Sequence, residues 1–166
     1  FMDQILLLYE NDYKSIKTVL NELKEACRAR LIFMADQSGQ VISSVGEITN
    51  LDLPTLTSLT AGAFAANLRV GEILGGEKFI TLTSEGGMAS LQLSLVRDRF
   101  ILGVVFDTRT TLGLIRLKMT KAVKQLEEIF DGIIDKIEKE KQTFGGMESP
   151  FPEITEEDID KLFGDL

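Results

Sequence analysis

The 166-residue chain has no histidine, no tryptophan, one cysteine and three prolines. Without histidine it lacks both the commonest general base and the commonest metal ligand, so zinc sites and triad hydrolysis have no starting point. Cys27 cannot close an internal disulfide. It falls in register with apolar helix positions, which makes it a small buried hydrophobe rather than a nucleophile. No apolar run approaches the roughly eighteen residues that a membrane-crossing helix needs. The start FMDQILLLYE lacks the basic flank and small-residue cleavage site of a secretory signal, so a cytoplasmic protein is expected. Bases are also scarce: 18 Lys and Arg face 26 Asp and Glu, for a net charge of -8. Binding nucleic acid needs clustered Lys and Arg, so that class of partner is disfavoured and not expected.

Catalytic and ligand motifs are missing too. Gly71 to Gly76 superficially resembles a phosphate loop, but no Gly-Lys-Ser/Thr follows and the glycines end a helix instead of opening one. Glu156, Glu157, Asp158 and Asp160 lack the alternating spacing and central glycine of a calcium loop. The serines stand outside any G-x-S-x-G elbow. No catalytic residue, metal or cofactor is expected, and the chain reads as an interaction protein.

At 44% hydrophobic, the chain can bury the core of one domain. Tyr13, Ile16, Leu20, Leu23 and Cys27 form the stripe of a first amphipathic helix. Leu31 to Ala35 and Gln40 to Val45 form a hairpin around Asp36-Gln37-Ser38-Gly39, with Gly39 available for positive φ. Three strands follow the central helix, Phe79 to Thr83, Met88 to Val96 and Phe100 to Phe106, joined by connections too short for anything but antiparallel neighbours. From about Thr110 to Gln142 runs a long helix with Met119, Val123, Leu126, Phe130, Ile133 and Ile137 on one side. Some 45 Å of helix exceeds what short strands cover, so its last turns are expected to project or meet another subunit. The fold class is α/β in the α+β sense: a five-stranded, mostly antiparallel sheet with the first and last helices on one face and one central helix on the other.

The chain is organised around that central helix, Leu53 to Leu74. Asp52 is placed to cap it and Pro54 falls in its first turn, where a missing N–H costs nothing. Leu56, Leu59, Ala63, Ala66, Val70 and Ile73 recur at helical spacing and are expected on the sheet. The opposite side then carries Ser58, Ala61, Gly62, Ala65, Arg69 and Glu72, nearly bare over its first turns, with Phe64 and Leu68 as an apolar edge beside it. Two readings stand. Alanine is a good helix former and the bareness means nothing more, or a close neighbour packs there. On the second reading an antiparallel homodimer forms through central helices and an edge strand, with Phe64 and Leu68 at the dimer interface.

Residues 1–143 form the domain and 144–166 a tail. Gly145-Gly146 and Ser149-Pro150-Phe151-Pro152 read as a flexible linker, and Ile154, Ile159, Leu162 and Phe163 then sit among acids. Residues Phe144 to Leu166 account for -6 of the net charge, leaving -2 for everything before them. The segment is either a solubilising tail or an amphipathic peptide that folds onto a partner, with Ile159, Leu162 and Phe163 as docking anchors.

Four stretches carry a family resemblance: DQSGQVISSVG (Asp36 to Gly46), SLTAGAFAAN (Ser58 to Asn67), VVFDTRTTLGLIRLK (Val104 to Lys118) and SPFPEITEEDIDKLF (Ser149 to Phe163). They span most of the chain, and it resembles the roadblock-domain family. The tail narrows the likeness to a bacterial branch whose members regulate a Ras-like small GTPase in cell polarity and motility. The resemblance implies a homodimer, two subunits per GTPase, that accelerates GTP hydrolysis and concentrates at a cell pole. It also implies that Ser58, Ala61, Gly62, Ala65, Arg69 and Glu72 contact the GTPase, and that the tail touches it on a second surface. Arg69 departs from the smaller residue that relatives can carry. The implied mechanism remodels the GTPase switches, so that its own catalytic groups become productive without a donated arginine finger. The alternative is a scaffold or adaptor that holds a GTPase or motor component without stimulating hydrolysis.

Overall fold

The computed structural model describes residues 10–144 and, from the C-terminal stretch, Glu157, Asp160, Lys161 and Phe163. The elements are α1 (Glu10–Cys27), β1 (Leu31–Asp36), β2 (Val41–Gly46), α2 (Leu53–Ile73), β3 (Thr81–Glu85), β4 (Ser90–Val96), β5 (Phe100–Phe106) and α3 (Leu112–Phe144). The expected linker lies outside the described residues, as do Ile159 and Leu162.

Tight turns set the sheet. Asp36 Oδ1 accepts from Ser38 N at 2.9 Å, Ser38 Oγ at 2.6 Å and Gln40 N at 3.0 Å, so this one carboxylate shapes the β1–β2 turn. Gly39 completes it at φ 93°. Arg97 and Asp98, at φ 51° and 58°, form the β4–β5 turn with the left-handed geometry that suits a two-residue hairpin. The five strands lie in the order β2-β1-β5-β4-β3, and every pairing is antiparallel. The β1–β5 pairing, from Leu31 opposite Val105 to Asp36 opposite Phe100, joins the hairpin to the three-strand meander.

Side chains alternate along these strands and split the core in two. Ile32, Met34, Leu102 and Val104 pack under α1 and α3 with Ile16, Leu20, Leu126 and Phe130. Leu31, Phe33, Leu93, Leu95 and Ile101 pack under α2 with Ala61 and Phe64. Gly103 is bare because a Cβ there would lie 2.2 Å from Phe33 Cζ.

The far half of α3 does not overhang freely. Ile133 and Ile137 are buried, and Lys136 Nζ meets Asp12 Oδ2 at 2.7 Å at the start of α1. α1 packs along this half, with Ile133 and Ile137 turned in and Ile134, Asp135 and Lys136 exposed. β3 begins two residues later than the pattern predicts, because the approach to it is tied to α2. Asn67 Nδ2 donates to the carbonyls of Phe79 (3.2 Å) and Thr81 (3.0 Å), and Glu77 N donates to Gly71 O at 2.9 Å.

The orientation of α2 corrects the helical-stripe reading. Leu59, Ala63, Ala66, Val70 and Ile73 are exposed, and of the expected stripe only Leu56 packs partly on the sheet. The sheet side is instead Thr57, Thr60, Ala61, Phe64 and Gly71. Close backbone approach decides it. A Cβ on Gly39 would sit 2.6 Å from Ser58 Cα, and one on Gly71 would sit 2.3 Å from Glu77 O. Thr57 Oγ1 donates to Gly39 O at 2.6 Å, so its hydroxyl is satisfied although buried. Phe64 supplies the large apolar side chain that the aliphatic stripe was expected to provide.

Candidate partner-binding face

The outer side of α2 is wide and has two sectors. One holds Ser58, Gly62, Ala65, Arg69 and Glu72; the other holds Leu59, Ala63, Ala66, Val70 and Ile73; all ten are exposed. The bare strip and the aliphatic stripe thus lie side by side on one surface. Leu59 is 68% exposed, Ile73 70% and Leu74 62%. A run of large apolar side chains left open to water marks an interaction surface.

The helix is fixed at both ends. Asp52 Oδ1 accepts from Thr55 N at 3.2 Å and Asp52 Oδ2 from Thr55 Oγ1 at 2.6 Å. The Thr55 hydroxyl, and then its N–H, hold the Asp52 carboxyl below its ordinary value. Proline falls at the helix start, as expected. At the other end Asn67 and Gly71 clamp the lead into β3. These bonds tie the end of the helix to the start of the edge strand. β3 is an edge of the sheet, and its sequence TLTSE carries neither proline nor lysine to block pairing. Ile80, beside it, is exposed too.

Of the residues expected on this face, Ser58, Gly62, Ala65, Arg69 and Glu72 are there. Ala61 is not: it is buried on the sheet side. Phe64, 1% exposed, and the half-buried Leu68 pack in the α2 core. Neither side chain is on the outer surface. Asn67 has no role in the sequence reading, although a lone amide in an apolar helix, one turn before Gly71, is a signal. Leu59, Val70 and Ile73 were assigned to the core because periodicity shows that a helix has a stripe and not which way it turns.

Electrostatically the face is quiet. Arg69 Nη1 meets Glu72 Oε2 at 2.6 Å with both side chains well exposed, a pair worth a few tenths of a kcal/mol at most. Other arginines are likewise engaged: Arg97 with Asp131 and Glu127, Arg109 with Asp107 and Glu47, Arg30 with Glu47. Hydrogen bonds from the Arg109 side chain, then from its N–H, hold the Asp107 carboxyl low, and the same partnership raises Arg109. Beside the start of α2 lies a cleft of about 560 Å³ lined by Arg30, Glu47, Leu51, Leu56, Leu91 and Val105. Its apolar floor and paired rim suit a protein side chain better than a phosphate. Burial pushes the Cys27 thiol up, and its Sγ donates to Leu23 O at 2.9 Å, which leaves it a core side chain. No helix among the described residues is long and apolar enough to cross a membrane.

A five-stranded antiparallel sheet between one helix and an antiparallel helix pair, with the single helix presenting its face outward, defines a roadblock-type domain. No family sequence model and no curated protein matches the chain. Solved structures do. MglB of Myxococcus xanthus is 38% identical, with a TM-score of 0.70 over 73% of this chain and 91% of that one. An MglB solved in a tetrameric arrangement is 25% identical, with a TM-score of 0.69 over 74% and 92%. A roadblock/LC7 domain of Streptomyces avermitilis, at 16% identity and a TM-score of 0.63 over 69% and 96%, shares the fold. The chain belongs to the MglB branch of the roadblock family.

Proposed function

We propose that the protein is a homodimeric activator of a Ras-like GTPase of the MglA type, and that α2 is its working surface. The observation that carries this reading is the exposed outer side of α2, with aliphatic and small residues side by side and the unprotected β3 edge clamped beside it. The aliphatic sector with the edge strand suits a second copy of the chain. The adjoining sector of Ser58, Gly62, Ala65, Arg69 and Glu72 suits close approach by a GTPase. The two sectors are continuous, so the paired helices of two subunits form a single platform for one GTPase. Residues 1–143 form the domain and 144–166 a segment that makes a second contact. The setting is cytoplasmic, in polarity or motility, with accumulation at a cell pole.

The chemistry stays with the GTPase. Arg69 is already matched by Glu72 on the same helix turn, which supports action on the partner's switches over donation of an arginine finger.

Single-turnover GTP hydrolysis by an MglA-type GTPase, with and without the protein, tests the reading. Acceleration is expected, and Ala65→Arg should abolish it, because Ala65 is exposed and the variant still folds. Arg69→Ala should leave most of the acceleration, whereas removal of a true finger costs about 10³-fold or more. Binding without acceleration would make the protein a scaffold.

A further inference from the structure

Phe163 is 4% exposed, although it lies close to the end of an acidic stretch. Its ring stands edge-on to Phe100 at 5.4 Å and 75° and to Phe130 at 5.4 Å and 80°. Those two rings are themselves stacked at 4.3 Å and 17°. The trio belongs to the core under α1 and α3. Three residues earlier, Asp160 Oδ1 meets Arg99 Nη1 at 3.5 Å. Glu157, Asp160, Lys161 and Phe163 have helical backbone, so Asp160 and Phe163 reach the domain from one helical face, while the side chains of Glu157 and Lys161 are exposed. The receptor is built by the β4–β5 turn. In that turn Arg97 and Asp98 have left-handed backbone, Arg97 meets Asp131 of α3, and Arg99, just ahead of Phe100, meets Asp160.

We propose that the surface beside the stacked Phe100–Phe130 pair is a docking site for the chain's own C-terminal segment. Phe163 is its anchor and Asp160–Arg99 its polar guide, so that the segment is latched in cis. The consequence for regulation rests on the reading that this segment contacts the GTPase. A Phe163 buried in its own domain cannot touch a partner, so docking and partner binding exclude each other. One buried aromatic ring with one solvent-exposed ion pair favours the docked form by about 10- to 100-fold. A tight partner can overcome that bias.

Hydrogen exchange on the full chain tests the latch without any GTPase. Amides around Phe163 should exchange about 10- to 100-fold slower than in an unstructured segment. Phe163→Ser should abolish that protection, and Arg99→Glu, which repels Asp160 but keeps the anchor, should reduce it; amides of the sheet should be unaffected. Absence of protection in the parent chain overturns the proposal, as does its survival in Phe163→Ser. Protection that grows with protein concentration also overturns it, by assigning the segment to a second copy. In GTPase binding, Arg99→Glu should strengthen and Phe163→Ser weaken the contribution of the segment. An unchanged affinity in Arg99→Glu overturns the exclusion. If no GTPase binds any form, the functional reading fails, while the exchange result still decides the latch.

Discussion

Gly71 shows how much one absent methyl group can hold in place. Its Cα faces the Glu77 carbonyl so closely that a Cβ would stand 2.3 Å from the oxygen, whereas a Cβ on Gly62, on the outer side of the same helix, meets nothing within 4 Å. Gly71→Ala should therefore destabilise the protein by about 1–3 kcal/mol, since backbone must move to admit the methyl. Gly62→Ala should stabilise it by about 0.5–1 kcal/mol through helix propensity. Urea unfolding of the two variants checks the opposite signs. Asp52 gives a pH prediction. Its folded-state pKa is lowered by Thr55, so its contribution is present above the ordinary carboxylate value and is lost as pH falls through the lower folded value. Asp52→Ala should be less stable than the parent at pH 7, with the gap closing in strong acid; denaturation midpoints across that range measure it. The cap and Pro54 were legible because they act within one turn. Gly71 read only as a helix stop, because the atom it must avoid lies six residues on.

At the level of elements, α2 carries the functional argument. Its two apolar faces cannot be ranked from spacing, because alanine, glycine and threonine are quiet in any hydrophobic pattern. Space beneath the helix ranks them: Phe64 fills it, and Ile73 is left out. Phe64→Glu should unfold the domain. Ile73→Glu should leave the thermal midpoint of the monomeric fold nearly unchanged but convert a proposed dimer to monomer in sedimentation velocity. A dimer that survives Ile73→Glu would remove this sector from the interface. The antiparallel neighbours within the hairpin and the meander and the helix cover on both faces are readable, since short connections leave few alternatives; the β1–β5 pairing that sets the strand order is not. The late start of β3 was not, because it follows from Asn67 bonding to carbonyls twelve and fourteen residues away.

In the whole molecule, the sequence patterns and the structure agree on architecture and diverge at the outer surface of α2, and the structure adds a burial that the patterns left open. Both concern apolar side chains among residues that could point either way: Leu59, Val70 and Ile73 turn out, and Phe163 turns in. Exposure at the first and burial at the second are what a sequence pattern cannot rank, because each depends on which cavity is already filled. The β1–β5 seam has a further consequence. It is where two stretches meet that are each built from neighbours in the chain, the α1–hairpin–α2 half and the meander–α3 half. Between them, Gly75 and Gly76 sit at φ 101° and 78° with open space around them. The molecule is thus a natural candidate for splitting. Expressed as two fragments parted at those glycines, the halves share both cores and should associate across the seam, which co-purification of the pair checks.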